Sequence, residues 1–289
     1  MGGIGAKARR ATAVAVAACL LAGGGQAGAA VDSAAPALAG AAVVAAGPAP
    51  ASSSAANAAD AGTQPGVPAV PVHLPGETVV HPVTGRSMVV VADVEDSALV
   101  IGDSQAGPDT WVGQGLALAG YPGIIRGAGG TGYVQGNGTV SGYAQALESQ
   151  QWLLPWGAPS LIILQGGGND TAHPAQAVRA GAVQLIRDIR QTYPGARILM
   201  VGVIGDGTGP RQEVDNVLAD TARAEGVSFL SPGQWWSRYG LTGALRPDGR
   251  HLSPDGHRIA AEAFARELRL LAPTDPRRGA PAYRLRSLP

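Results

Sequence analysis

The run Leu161-Ile162-Ile163-Leu164-Gln165-Gly166-Gly167-Gly168-Asn169-Asp170 decides the fold. Its apolar residues are consecutive rather than alternating, so both faces of the segment must be covered by other structure. The glycines stop it after one strand's length and leave Asn169 and Asp170 just beyond the strand end. Residues 98–102, 123–126, 198–203 and 227–230 share this make-up: short, apolar, partly β-branched and bounded by glycine. Helical periods lie between them. Val178, Ala182, Leu185 and Ile189 recur at spacings of four, three and four before Pro194-Gly195 ends the helix. The last helix opens on Ser253-Pro254-Asp255, an N-cap, an N1 proline and a first-turn carboxylate, and turns Ile259, Ala263, Phe264 and Leu268 inward. Strands alternating with helices predict an α/β fold, a sheet of about five parallel strands with helices on both faces.

The flanks read differently. Lys7, Arg9 and Arg10 precede an apolar stretch over 11–22 and the small residues Ala27-Gly28-Ala29, which predicts a secretory signal peptide over 1–29. That stretch is too short to span a bilayer. Val16-Ala17-Ala18-Cys19 also resembles the lipobox at which bacterial lipoproteins are lipidated on cysteine, so a membrane tether through Cys19 stands beside a cut after Ala29. Residues 30–75 are rich in Ala, Pro and Ser with little charge, a composition that cannot bury enough surface to offset its ordering entropy, and predict a disordered tether. Residues 76–275 form the folded domain, and 276–289 an Arg-rich, solvated tail. The expected location is therefore secreted or in the cell envelope.

Composition excludes several classes. The 289 residues hold 21 Lys and Arg against 21 Asp and Glu, so the positive footprint of a nucleic-acid binder is missing. One cysteine can make neither an internal disulfide nor a thiolate metal cluster. His73, His81 and His173 lack ligand-like spacing with carboxylates, so neither a metal nor a cofactor is expected. A monomer is expected, with a small molecule or a polysaccharide as its partner.

In open α/β sheets ligands bind beyond the carboxyl ends of the strands. There the chain places Gly102-Asp103-Ser104-Gln105, the loop over 127–132, Gly167-Gly168-Asn169-Asp170 and, after the fifth strand, Asp248-Gly249-Arg250-His251. A serine hydroxyl, free backbone N–H groups, a side-chain amide, a carboxylate and an imidazole therefore share one edge. These can serve as nucleophile, oxyanion hole, base and orienting acid.

The ordered set Gly102-Asp103-Ser104, Gly130, Gly167-x-Asn169-Asp170 and Asp248-x-x-His251 resembles the SGNH (GDSL-type) hydrolases over roughly 96–272. That resemblance implies the three-layer, flavodoxin-like SGNH fold and a serine esterase. It makes Ser104 the nucleophile, His251 the general base and acid, and Asp248 the residue that orients the imidazole. The implied oxyanion hole is the N–H of Ser104, the N–H of Gly130 and the amide of Asn169. Gln105 stands where the family has an apolar residue, and Arg126-Gly127 where it often has asparagine.

Rivals exist for each role. Gly127-Ala128-Gly129-Gly130-Thr131-Gly132 also matches a dinucleotide-binding pattern, but the helix that must follow is replaced by Gly-rich sequence. Asn169 could cap the helix near Pro174, and Asp206, just after the fourth strand, competes with Asp248. His257 competes with His251 from inside the last helix. Residues 205–210 and 132–141 are expected to shape the pocket, and Trp111, Trp152, Trp156, Trp235 and Trp236 to pack the core, with Trp235 and Trp236 near enough to the Asp248 loop to line a pocket. A lipase or acyltransferase of lipid esters is the alternative activity. A non-catalytic cell-envelope binding module is the alternative class.

Overall fold

The computed structural model describes residues 73–271. The expected signal peptide with Cys19, the tether as far as residue 72 and the Arg-rich tail lie outside them. A short antiparallel hairpin comes first, β1 (Thr78–Val80) with β2 (Ser87–Val90). The main alternation follows: β3 (Ala98–Gly102), α1 (Trp111–Leu118), β4 (Gly123–Gly127), α2 (Tyr143–Glu148), β5 (Leu154–Trp156), β6 (Leu161–Gln165), α3 (Ala175–Thr192), β7 (Ile198–Val201), α4 (Gly209–Ala224), β8 (Ser228–Leu230), α5 (Trp235–Arg238) and α6 (Pro254–Leu271).

Five strands form one parallel sheet in the order β4-β3-β6-β7-β8. The first of them in sequence is flanked by the second and third, the doubly wound order that reverses direction beside β3. The break in strand order opens a crevice at the carboxyl ends of β3 and β6, where Ser104 and Asn169 stand. β1, β2 and β5 make a separate small sheet, in which β2 and β5 run parallel.

Covering both faces explains the unbroken apolar runs. Ala98, Val100, Ile163, Leu199 and Val201 point to the layer that holds Trp111, Leu116, Trp235, Leu252, Phe264 and Leu268. Leu99, Ile101, Ile162, Leu164, Ile198 and Met200 point to the layer that holds Val178, Leu185, Ile189, Val214 and Leu218. Every residue of β3 and β6 is buried.

The helix signals read from sequence act as expected at α6, where Ser253 Oγ accepts from Gly256 N–H at 3.2 Å and Pro254 fills the first position. α4 differs from the expected loop over 205–210, because Gly209 and Pro210 already belong to its first turn. Trp111, Trp235 and Trp236 are core residues, whereas Trp152 and Trp156 are half-buried.

α1 and α6 are joined by more than apolar contact. His257 Nδ1 accepts from the N–H of Trp111 at 3.1 Å, so the imidazole satisfies an otherwise unpaired donor in the first turn of α1. Beside it the Trp111 and Phe264 rings meet edge to face, 5.3 Å between centroids. Phe264 is fully buried and Leu270, on the same helix, is 73% exposed. Phe264→Ala is therefore expected to cost about 3–5 kcal/mol in urea unfolding, and Leu270→Ala less than about 0.5 kcal/mol.

Candidate active site

β3 ends at Gly102, and the chain folds back at once: a side chain there would meet Ala106 Cβ at 2.5 Å. That tight turn lifts Ser104 onto the sheet edge. Asp103 Oδ1 accepts from Gln105 N–H at 2.8 Å and holds the turn from below. On the far side, the loop after α5 is closed by Arg246 N–H donating to His251 O at 2.7 Å and by the pairing of Leu245 with Leu252. Leu252 is buried, which anchors the residue next to His251.

The two loops meet at the reacting atoms. Ser104 Oγ lies 2.9 Å from His251 Nε2, and His251 Nδ1 lies 2.7 Å from Asp248 Oδ2. A carboxylate only accepts, so Nδ1 carries the proton and Nε2 is left to accept from the serine hydroxyl. The other oxygen of Asp248 accepts from the N–H groups of Arg250, at 2.9 Å, and His251, at 3.0 Å. The His251 backbone bond, the imidazole bond and the Arg250 bond hold the Asp248 carboxyl well below the usual carboxylate range. Asp206 is placed elsewhere: its carboxylate accepts from Thr208 N–H and Oγ–H. His257 is buried against Trp111, away from the serine.

The anion-binding side is built from two loops. Gly130 has φ +78, a left-handed backbone that favours glycine. Asn137 Nδ2 donates to Gly129 O at 2.9 Å, and the trans peptide then sends the Gly130 N–H to the opposite side, where no acceptor among the described residues takes it. A side chain at Gly129 would lie 3.6 Å from Ser104 Cβ, so this loop rests on the serine. Asn169 does not cap α3, whose N-cap is Pro174. One of its amide hydrogens goes to Thr131 O at 2.9 Å, and the second remains for a ligand.

Asp170 is a functional residue to which the motif attached no role. It is fully buried and accepts three backbone N–H groups, from Tyr133 at 2.8 Å, Val134 at 3.0 Å and Gln135 at 2.8 Å. Any side chain at Gly132 would collide with this carboxylate. The loop that carries Gly130 is thus tied to the loop that carries Asn169. Asn137 and Arg211 were equally silent in sequence, since their roles arise only from tertiary neighbours. Among the described residues no three His, Cys, Asp or Glu side chains are grouped to hold a metal ion.

Burial beneath the Ser104 turn pushes the Asp103 carboxyl up to about 6, against the Gln105 hydrogen bond and the Arg211 charge. The unfolded chain releases this proton first, near 3.9, so the Asp103 contribution to stability falls as pH rises through the window from about 4 to about 6. Asn at this position keeps the acceptor for Gln105 and carries no charge. Urea unfolding of wild type and Asp103→Asn should show the variant gaining on the wild type across that window. A stability difference independent of pH would count against the buried charge.

The family model described as the GDSL-like Lipase/Acylhydrolase family matches residues 93–259. No curated protein matches the sequence. Among solved structures, a family two carbohydrate esterase from Clostridium thermocellum in complex with cellohexaose is 16% identical with a TM-score of 0.50, covering 65% of this chain and 68% of its own. A family two carbohydrate esterase from Cellvibrio japonicus is 16% identical with a TM-score of 0.50, covering 64% of each chain. Est24, a carbohydrate acetylesterase from Sinorhizobium meliloti, is 19% identical with a TM-score of 0.47, covering 61% of this chain and 99% of its own. At these identities the likeness is one of fold.

Proposed function

Since this chain belongs to the GDSL-like lipase/acylhydrolase family and is an ester hydrolase of the SGNH type, we propose that it works through an acyl-serine intermediate formed on Ser104. The observation that carries this reading is the unbroken line from Ser104 Oγ through both nitrogens of His251 to Asp248. Ser104 Oγ attacks the ester carbonyl carbon while His251 Nε2 takes its proton. The carbonyl oxygen becomes an oxyanion that the N–H groups of Ser104 and Gly130 and the free amide hydrogen of Asn169 can bind, donors each worth on the order of 3 kcal/mol to the transition state. Collapse breaks the bond to the alcohol, which leaves with the proton from His251. Water, deprotonated by the same imidazole, then releases the acid and restores the serine.

The substrate we propose is an O-acyl carbohydrate or another short-acyl ester. Two features support it. Gly129 backs onto Ser104, Asn169 and Arg211 stand at the same edge, Asp248 is exposed and His251 half-buried, which suits a polar, bulky alcohol better than a long acyl chain. The signal peptide and tether expected from the sequence support a chain that meets its substrate outside the cytoplasm, secreted or held at the envelope through Cys19.

Hydrolysis of p-nitrophenyl esters from acetate to long acyl chains tests both parts. Activity is expected to be highest on short chains and to fall by about a thousandfold or more in Ser104→Ala. A Ser104-independent rate would sink the acyl-serine reading, and a long-chain optimum would sink the short-acyl one. Asp248→Asn is expected to lose on the order of 10⁴-fold in kcat, because the amide no longer fixes the imidazole tautomer. Asp206→Asn should stay near wild type, and the reverse ranking would reassign the acid.

A further inference from the structure

Arg211, in the first turn of α4, is half-buried at the same edge as Ser104. Its Nη1 donates to Ile204 O at 3.0 Å, and its guanidinium carbon lies 5.2 Å from the centre of the Trp236 ring. A side chain at Gly168 would start 3.7 Å from Nη1, so the guanidinium stands against the peptide that precedes Asn169. The stem and plane of the side chain are therefore held beside the loop that carries Asn169.

The charge itself has no partner. Among the described residues no carboxylate lies within ion-pair distance of Arg211. The acids that feel it are Asp103, Asp206 and Asp248, and each is engaged elsewhere. Asp103 is buried under the nucleophile turn, Asp206 is closed on Thr208, and Asp248 on Arg250 N–H and the two N–H groups of His251. Arg250, the residue next to His251, adds a second cation close enough to repel the first. Arg250 likewise has no ion pair among the described residues, and a guanidinium fork has further donors to spare.

We propose that Arg211, assisted by Arg250, binds a carboxylate carried by the ester substrate, so that the natural substrate is an ester of an acidic molecule. This deepens the esterase reading and rests on it. The carboxylate would replace the missing partner of Arg211 with charge-assisted hydrogen bonds, the strong class for this side chain. The same chemistry is met by an acylated uronic acid, with the acid on the alcohol side, and by a half-ester of a dicarboxylic acid, with the acid on the acyl side.

Paired substrates on the full chain separate these sources: para-acetoxybenzoate against its methyl ester, and mono-p-nitrophenyl adipate against p-nitrophenyl hexanoate. The expected result is an acid-over-neutral ratio of kcat/KM that falls about tenfold or more in Arg211→Gln for one pair, mostly through KM. Arg211→Lys should restore part of the ratio, because charge and not packing is at issue, and Arg250→Gln should lower it less. Losses in Arg211→Gln that are equal for the acidic and neutral members of both pairs would overturn the proposal, as would no loss at all. Failure of Ser104-dependent hydrolysis on every ester, acidic and neutral alike, would instead bring down the acyl-serine reading, and this proposal with it.

Discussion

The Asp170 carboxylate is the constraint on which the catalytic edge depends. It is fully buried, and it accepts the N–H groups of three successive residues, Tyr133, Val134 and Gln135. A loop rich in glycine has many conformations to lose, and the cost of ordering it is met here by hydrogen bonds to one fixed acceptor. Asp170 follows Asn169 directly, so the same residue pair orders one oxyanion loop and supplies a donor from the other. The bare Cα of Gly132 allows that close approach. The hole is consequently rigid before substrate arrives, which is what electrostatic stabilisation of a transient charge requires.

Around this anchor the acidic residues are sorted by environment. Asp248, at the surface with three donors around it, stays an anion that steers an imidazole. Asp103, buried with one backbone donor, is pushed the other way. Asp215 is also pushed up by burial, partly offset by Ser231 and Val203, and it braces the carboxyl end of β7. Identical side chains thus serve as an orienter and as internal struts, according to how much water and how many donors each one keeps.

The sheet was legible because a strand buried on both faces must be written as an unbroken apolar run, as 98–102 and 161–165 are. The site was legible because Ser104 and Asn169 sit just past such runs and Asp248 and His251 just before the last helix, in the order that resembles the family. β1, β2 and β5 escaped because strands of three or four residues are too short to show a period, and Pro155 argues against a strand within β5 itself. The start of α4 escaped because Gly205, Gly207 and Gly209 read as loop, although Val214, Leu218 and Ala222 mark its buried face. Asn137 and Arg211 had no local signal at all. Each acts on residues distant in the chain or across a turn, and only the closed fold brings those groups together.

The bond from Trp111 to His257 spans 146 positions, and the one from Ser104 to His251 spans 147. A chain made from its amino end therefore holds Ser104 long before it has His251. The segment that brings the base also brings the helix that finishes α1, since His257 and Phe264 belong to the same α6 that begins three residues after His251. Assembly of the core and assembly of the chemistry are one event, and a partly synthesised chain can hold the serine without being able to use it.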